Sequence, residues 1–187
     1  SDLLSAFENN SLLKDFASPR AGLATGDNTI FQRLWHEVTF NNIGFNFTDT
    51  DETFNSLCKW YPCNSGGEYR KWSTNDEYVV NWYKDGLDLK NFRNANGKIA
   101  SRPQNTQFYF KKGITWNKLS SSRFAVKYKR SGYIYDDTSR SAFIDDENEL
   151  FYLTGLLCSN STFEYLKALN PTMSFTNGDL ERKIGRA

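Results

Sequence analysis

Between Val38 and Tyr135 the chain is rich in β-branched and aromatic residues but is interrupted by Ser65-Gly66-Gly67, Lys84-Asp85-Gly86, Asn96-Gly97 and Ser131-Gly132. Glycine beside a small or charged residue lets the backbone reverse, so this spacing excludes long helices and predicts short antiparallel strands joined by hairpins. Strands are expected over Glu68 to Trp72, Tyr78 to Tyr83, Gln107 to Phe110, Arg123 to Tyr128 and Tyr133 to Tyr135. The pattern changes on either side. Leu3, Leu4, Phe7, Leu12, Leu13 and Phe16 recur at near-helical spacing and predict a helix over residues 2 to 16, ending before Ser18-Pro19. Glu149 to Leu157 and Thr162 to Leu169 predict a helix pair broken around Asn160 to Thr162 and stopped by Asn170-Pro171. In the loop Gly22-Leu23-Ala24-Thr25-Gly26-Asp27-Asn28, either Asp27 or Asn28 is placed to cap a short helix through Phe31 to Trp35, and such a turn can offer backbone N–H groups to an anion. A helix, a long hairpin-rich β region and a helix pair give an α+β fold.

At 187 residues the chain is expected to form a single domain over residues 1–187, with a core that needs no disulfide or metal. Neither a run of about 18 apolar residues nor a basic, apolar leader is visible, which disfavours membrane insertion and export. Cys58, Cys63 and Cys158 are odd in number and follow no extracellular spacing, so reduced thiols and a cytoplasmic location are expected. A zinc site would need all three plus His36, the only histidine, without a CxxC or HxxxH pair. His36 reads as a packed or half-exposed side chain rather than the base of a hydrolase triad. Phosphate-loop and dinucleotide glycine motifs are missing.

Charge is unevenly distributed. The chain nets +1 at pH 7, yet residues 1–58 carry −5, residues 59–130 carry +10 and residues 131–187 carry −4. The basic block also holds 14 of the 30 aromatics, so cations for phosphates and rings for base stacking occur together. That combination points to a polyanion-binding face. For any single aromatic, burial in a sheet is the simpler reading.

Several separated motifs, in order, carry a family resemblance. They are Gly22 to Asn28, Arg33-Leu34-Trp35-His36-Glu37-Val38, Gly66-Gly67-Glu68-Tyr69-Arg70-Lys71-Trp72, Val79-Val80-Asn81-Trp82, Ser101-Arg102-Pro103-Gln104-Asn105-Thr106-Gln107, Lys112-Gly113-Ile114-Thr115-Trp116 and Asn170-Pro171-Thr172. Over roughly residues 12 to 184 the sequence resembles the C-terminal half of PglX-type adenine-specific DNA methyltransferases of BREX phage-defence systems, which are similar to type II restriction-modification methylases. The resemblance implies a target-recognition region whose partners are double-stranded DNA, an upstream methyltransferase domain and other defence proteins. S-adenosylmethionine would be bound by that upstream domain, and no cofactor by this segment. The family's catalytic [N/D/S]-P-P-[Y/F/W] tetrapeptide cannot occur here, because none of the four prolines are adjacent.

Residue chemistry agrees with a DNA-reading role. Arg pairs with guanine and Asn or Gln with adenine in the major groove, and Arg102, Gln104 and Asn105 share one turn-prone segment. Lys111, Lys112 and Arg123 bracket Thr115, Trp116 and Ser121, which suit phosphate oxygens. Arg70 and Lys71, together with Thr25, Asp27 and Asn28 of the glycine loop, complete the candidate DNA-binding set. Two rivals stand beside it. Asp88-Leu89-Lys90 and Glu181-Arg182-Lys183 match the [D/E]-x-K pattern of metal-dependent nucleases, although chance alone predicts about as many matches at this composition. Arginine and aromatic residues also dominate protein–protein hot spots, so a protein-interaction module fits the same block.

Overall fold

The computed structural model describes residues 13–120, 123–170, 172 and 174–181. Among the described residues nine strands form two sheets: β1 (Ser18–Arg20), β2 (Gln32–Leu34), β3 (Trp60–Asn64), β4 (Trp72–Ser73), β5 (Tyr78–Asn81), β6 (Gly113–Asn117), β7 (Val126–Lys129), β8 (Ile134–Tyr135) and β9 (Ser139–Phe143). One sheet has the order β1-β9-β6-β7-β4 and the other β2-β5-β3-β8. The α-helices among the described residues are α1 (Asn28–Phe31), α2 (Tyr83–Lys90), α3 (Glu147–Leu157), α4 (Asn160–Leu169) and α5 (Asn177–Glu181). The fold is α+β, as the element order predicts. The helix expected over residues 2 to 16 lies outside the described residues up to Leu12, and Leu13–Asp15 form a 3-10 turn.

The C-terminal helices form where expected because each carries an N-cap. The Asp146 carboxylate accepts from Glu149 N–H at 2.8 Å, and the Ser159 hydroxyl accepts from Thr162 N–H at 3.2 Å. Asp27 likewise caps α1, accepting from Thr29 N–H at 2.9 Å. That helix stops at Phe31 rather than Trp35, since Gln32 to Leu34 are drawn into an edge strand against β5.

Several hairpin expectations are corrected. The Ser131-Gly132 turn separates β7 from β8, which belong to different sheets, so it is a crossover. Past Ser65-Gly66-Gly67 the next strand is parallel to β7 rather than antiparallel to β3, and it shrinks to Trp72–Ser73 because Glu68 to Arg70 are exposed and Trp72 is left-handed (φ 72°). Gln107 to Phe110 is no strand either. Asn105 (φ 54°) turns the chain into a 3-10 segment over Thr106–Phe108, while Tyr109 and Phe110 become fully buried plugs. Only Asn96-Gly97 makes a tight reversal of the expected kind, with Asn94 and Lys98 hydrogen-bonded across it.

The two sheets share a buried polar layer. Register and the two-residue alternation of strands place Thr115 opposite Lys127 and Ser141, and Gly113 opposite Lys129, on one face of the larger sheet. Thr115, Lys127, Lys129, Ser139 and Ser141 are all buried there. The other face carries Ile114, Trp116, Val126 and Ala142, which pack on Leu150, Leu153 and Leu157 of α3 and Leu166 of α4. A second core gathers Tyr61, Val80, Trp82, Tyr109, Ile134 and Tyr135, with Phe143 at the end of β9 reaching into it.

Asp136 joins the loops around this layer. Its side chain accepts from Gln32 Nε2 (3.1 Å), Ser65 Oγ (2.5 Å), Thr138 N (3.0 Å), Thr138 Oγ1 (2.7 Å) and Ser139 N (2.9 Å). Beside it Gly22 passes so close that a Cβ there would lie 2.2 Å from the Tyr135 carbonyl oxygen. No larger residue fits that crossing.

Candidate nucleic-acid interface

Arg70 and Arg123, from separate loops, line one cleft with Tyr69, Asn117, Ser120, Phe124 and Ala125. Asn117 makes the junction. At the end of β6 its Nδ2 donates to the Gly67 carbonyl at 2.6 Å, while its Oδ1 accepts from the buried Lys127 ammonium at 2.8 Å. The far end of the 66–71 loop is held by Lys71, whose ammonium donates to the Cys158 carbonyl at 2.9 Å, at the negative end of the α3 dipole. Ser120 Oγ donates to the Arg123 carbonyl at 2.8 Å and closes the other loop, and the Arg123 guanidinium lies 5.9 Å from the Phe163 ring centroid.

Electrostatics favour an anion in this cleft. Burial pushes the Lys127 ammonium below its usual lysine range, and the Arg70 charge pushes it the same way. Among the described residues none of Arg70, Arg123 and Lys127 forms an ion pair. The Asp136 carboxylate acts on Lys127 in the opposite direction, so the cations left for phosphate oxygens are Arg70 and Arg123, both exposed.

The other predicted residues have varied positions. Loops 22–28 and 101–105 do come together: Ala24 and Arg102 exchange backbone hydrogen bonds at 3.0 and 2.7 Å. Arg102 is exposed, but Gln104 Nε2 donates to the Gly22 carbonyl at 3.2 Å and Asn105 Nδ2 to the Ala21 carbonyl at 3.0 Å, so both amides brace the loop. Thr25 is buried, with its hydroxyl on Asn28 Oδ1, and hydrogen bonding from the Thr29 hydroxyl lowers the Asp27 carboxyl from its usual value. These polar groups serve the local turn. Lys111 is exposed at a separate cleft with Gln107 and Phe108, where Lys112 pairs with Glu147 at 3.2 Å. Thr115 and Trp116 require correction. Both are fully buried, Thr115 bonded to Ser139 and the Arg140 carbonyl, and Trp116 Nε1 donating to the Phe175 carbonyl at 3.0 Å. Their direction is set by β6, whose two faces are both covered. Ser121 lies outside the described residues.

A second, larger cleft was not anticipated from the sequence. It encloses about 530 Å³ between α1, the adjoining ends of β3 and β5, and α2, and is lined by Arg33, Lys59, Trp60, Asn81, Asp88 and Asn91 among others. Trp60 and Asn81 face each other across the β3–β5 ladder. The α2 wall depends on an unusual start: Lys84 (φ 47°), Asp85 (φ 57°) and Gly86 (φ 71°) are consecutive left-handed residues. For the two non-glycine residues this costs about 1–2 kcal/mol each, and Lys90 helps hold the turn by pairing with Asp85 at 2.6 Å and lying over the Trp82 ring. The lysine of the Asp88-Leu89-Lys90 pattern is thus paired with Asp85, and among the described residues no group of three or more His, Cys, Asp or Glu could hold a metal. The only available hint in the sequence was Lys59-Trp60, a cation beside an indole.

Comparison with known proteins follows the same direction. The chain is 37% identical over 173 residues to the adenine-specific methyltransferase PglX of Lacticaseibacillus casei, covering 90% of this chain and 14% of that protein. The chain is related to the PglX-type adenine-specific methyltransferases. The adenine-specific methyltransferase BrxX of Escherichia coli O9:H4 is 32% identical over 182 residues, 95% of this chain and again 14% of the relative. No family model matches. The chain thus spans about one seventh of the length of its PglX-type relatives, and among its described residues no helix is long and apolar enough to cross a membrane.

Proposed function

We propose that this chain is the duplex-reading segment of a longer adenine-specific DNA methyltransferase acting in phage defence in the cytoplasm. S-adenosylmethionine and the transfer chemistry belong to other parts of that protein. The observation that carries the reading is the cleft lined by Arg70 and Arg123, both exposed and neither paired with a carboxylate among the described residues. The relatives' name supports an adenine-modifying context, and enzymes that modify a base in a duplex need a surface to grip it. Arg70 and Arg123 bind phosphates or guanine edges here; Ser120 and the Tyr69 ring flank them. Exposed Arg102 and Lys111 add outlying phosphate contacts.

Duplex binding measured by fluorescence anisotropy across a salt series tests this. The Arg70→Ala/Arg123→Ala double variant should bind about 10- to 100-fold more weakly at low salt, with the log–log salt slope reduced by about two. A wild-type chain that ignores duplex at low salt, or a double variant that binds as well as wild type, overturns the proposal.

A protein-interaction role is favoured by one separate observation. From Leu34 to Cys58 there is no Lys or Arg, and Trp35, Phe40, Phe54 and Leu57 are at least half exposed. Apolar anchors on an acidic surface suit a basic protein partner, and the two roles occupy different residues.

A further inference from the structure

We propose that the cleft around Trp60 binds a single unstacked nucleotide, its base against the indole and its phosphate between Arg33 and Lys59. The proposal stands apart from the duplex-reading one, because the two clefts share no residue.

The cleft volume of about 530 Å³ lies in the range of small-ligand sites, about 300–1,000 Å³. Its composition is narrower than its size. Trp60 is only partly buried, and the Arg33 guanidinium carbon and Lys59 ammonium lie 6.0 and 5.7 Å from its ring centroid, at the outer limit of a cation–π contact. Neither cation has an ion-pair partner among the described residues, and Arg33, whose Nη1 donates to the Thr29 and Gln32 carbonyls, keeps its other N–H groups for a ligand. An indole with two such cations beside it fits a ligand that is aromatic at one end and anionic at the other.

The opposite wall selects among bases. Asn81, buried against β3, is committed at both ends: its Oδ1 accepts from Tyr83 N–H at 3.2 Å, and its Nδ2 approaches Asp88 Oδ2 at 3.5 Å. Asn91 Nδ2 donates to the Leu87 carbonyl at 2.8 Å. Each amide keeps a second N–H, so the group that discriminates is the Asp88 carboxylate, which only accepts. It matches the exocyclic amines of adenine, cytosine and guanine and opposes the O4 acceptor of thymine. Ile30 and Leu87, both about half exposed, form an apolar rim that shields the stack from water.

The left-handed turn over Lys84 to Gly86 belongs to the same site, since it redirects α2 so that Asp88 and Asn91 face Trp60. Backbone held in a disfavoured region is expected where a binding wall must be placed.

The test is calorimetric titration of the 187-residue chain with dAMP, dCMP, dGMP, dTMP and inorganic phosphate, up to about 5 mM of each. The three amine-bearing nucleotides should bind, dTMP several-fold more weakly, and phosphate alone weaker still. Trp60→Leu should weaken dAMP at least about tenfold and Lys59→Ala at least about fivefold; Lys59 is exposed, so its replacement keeps the fold intact and the test readable. A short adenine-containing single strand distinguishes the sources. Tighter, Lys59-dependent binding of the strand assigns the cleft to a nucleotide within a chain, and equal binding assigns it to a free nucleotide. Absence of binding by all three amine-bearing nucleotides, equal binding of phosphate alone, or a Lys59→Ala variant that binds dAMP as well as wild type overturns the proposal. The Arg70→Ala/Arg123→Ala variant should bind dAMP normally, so loss of duplex binding and loss of nucleotide binding are separable.

Discussion

Asp136→Ala should abolish cooperative folding, or reduce stability by about 4 kcal/mol or more. The side chain accepts five hydrogen bonds from four residues, and it is 3% exposed. Its removal leaves the buried Gln32 amide and the Ser139 N–H without that acceptor, and unsatisfied buried groups cost about 1–3 kcal/mol each. Against a total of about 5–15 kcal/mol for a domain, that loss approaches the whole. The damage should also be distributed, because Gln32 belongs to β2, Ser65 follows β3 and Ser139 opens β9. Urea denaturation followed by near-ultraviolet circular dichroism measures it. A variant with a midpoint near wild type would show that the loops are held by something other than this carboxylate.

Stability should rise between pH 7 and about pH 9, and Lys129 should be the main cause. Its ammonium is fully buried, donates to the Lys111 carbonyl at 2.5 Å, and lies 5.8 and 5.7 Å from the Tyr135 and Phe143 ring centroids. Loss of water on burial lowers its pKa from 10.5 to about 7, and the charge interaction with Cys63 only partly opposes that shift. Above pH 7 the folded chain therefore releases a proton that the unfolded chain keeps until about 10.5. Stability then increases with pH, by up to about 1.4 kcal/mol per unit, and Lys127, also lowered by burial, acts with the same sign. Above about pH 9 the rise flattens as the unfolded thiol ionises, and it reverses only at about pH 10. Burial raises Cys63, Tyr109 and Tyr135 above their usual values, so the unfolded chain loses protons there first. Lys129→Met should flatten the rise and increase stability at pH 7, as apolar replacement of buried charge often does. Chemical denaturation at half-unit steps from pH 6 to 10 gives the profile; a flat wild-type curve from 7 to 9 rules the mechanism out.

These two lysines also mark where sequence reasoning meets its boundary. Val126-Lys127-Tyr128-Lys129 alternates as a strand with one apolar and one solvated face would. The strand is real, but its lysine face meets the second sheet, and a sheet-on-sheet contact cannot be read from one strand. β9 is hidden for a related reason, whereas β6 carries the β-branched and aromatic signal in Ile114-Thr115-Trp116. Ser139-Arg140-Ser141 lacks the β-branched and aromatic residues that announce a strand, because its small hydroxyls fill the same polar layer. The helices α3 and α4 were legible because their caps and apolar spacing are local. Arg70 and Arg123 were legible as residues and not as a site, since their meeting depends on Asn117 gripping a loop far away in sequence. The Trp60 cleft draws on five elements, α1, β2, β3, β5 and α2, from three separate stretches of the chain.

The sheet order has a temporal consequence. β1 pairs with β9, Ser18 opposite Phe143, and β3 pairs in parallel with β8. The first strands made by the ribosome must wait for the last ones before either sheet is complete. Pairings of such long sequence separation form slowly, because loop closure precedes any gain from the contact. During that interval the edge of β3 that β8 later covers stays open to other chains. Synthesis at reduced temperature or with chaperones present should therefore raise the soluble yield of variants whose final stability is unchanged.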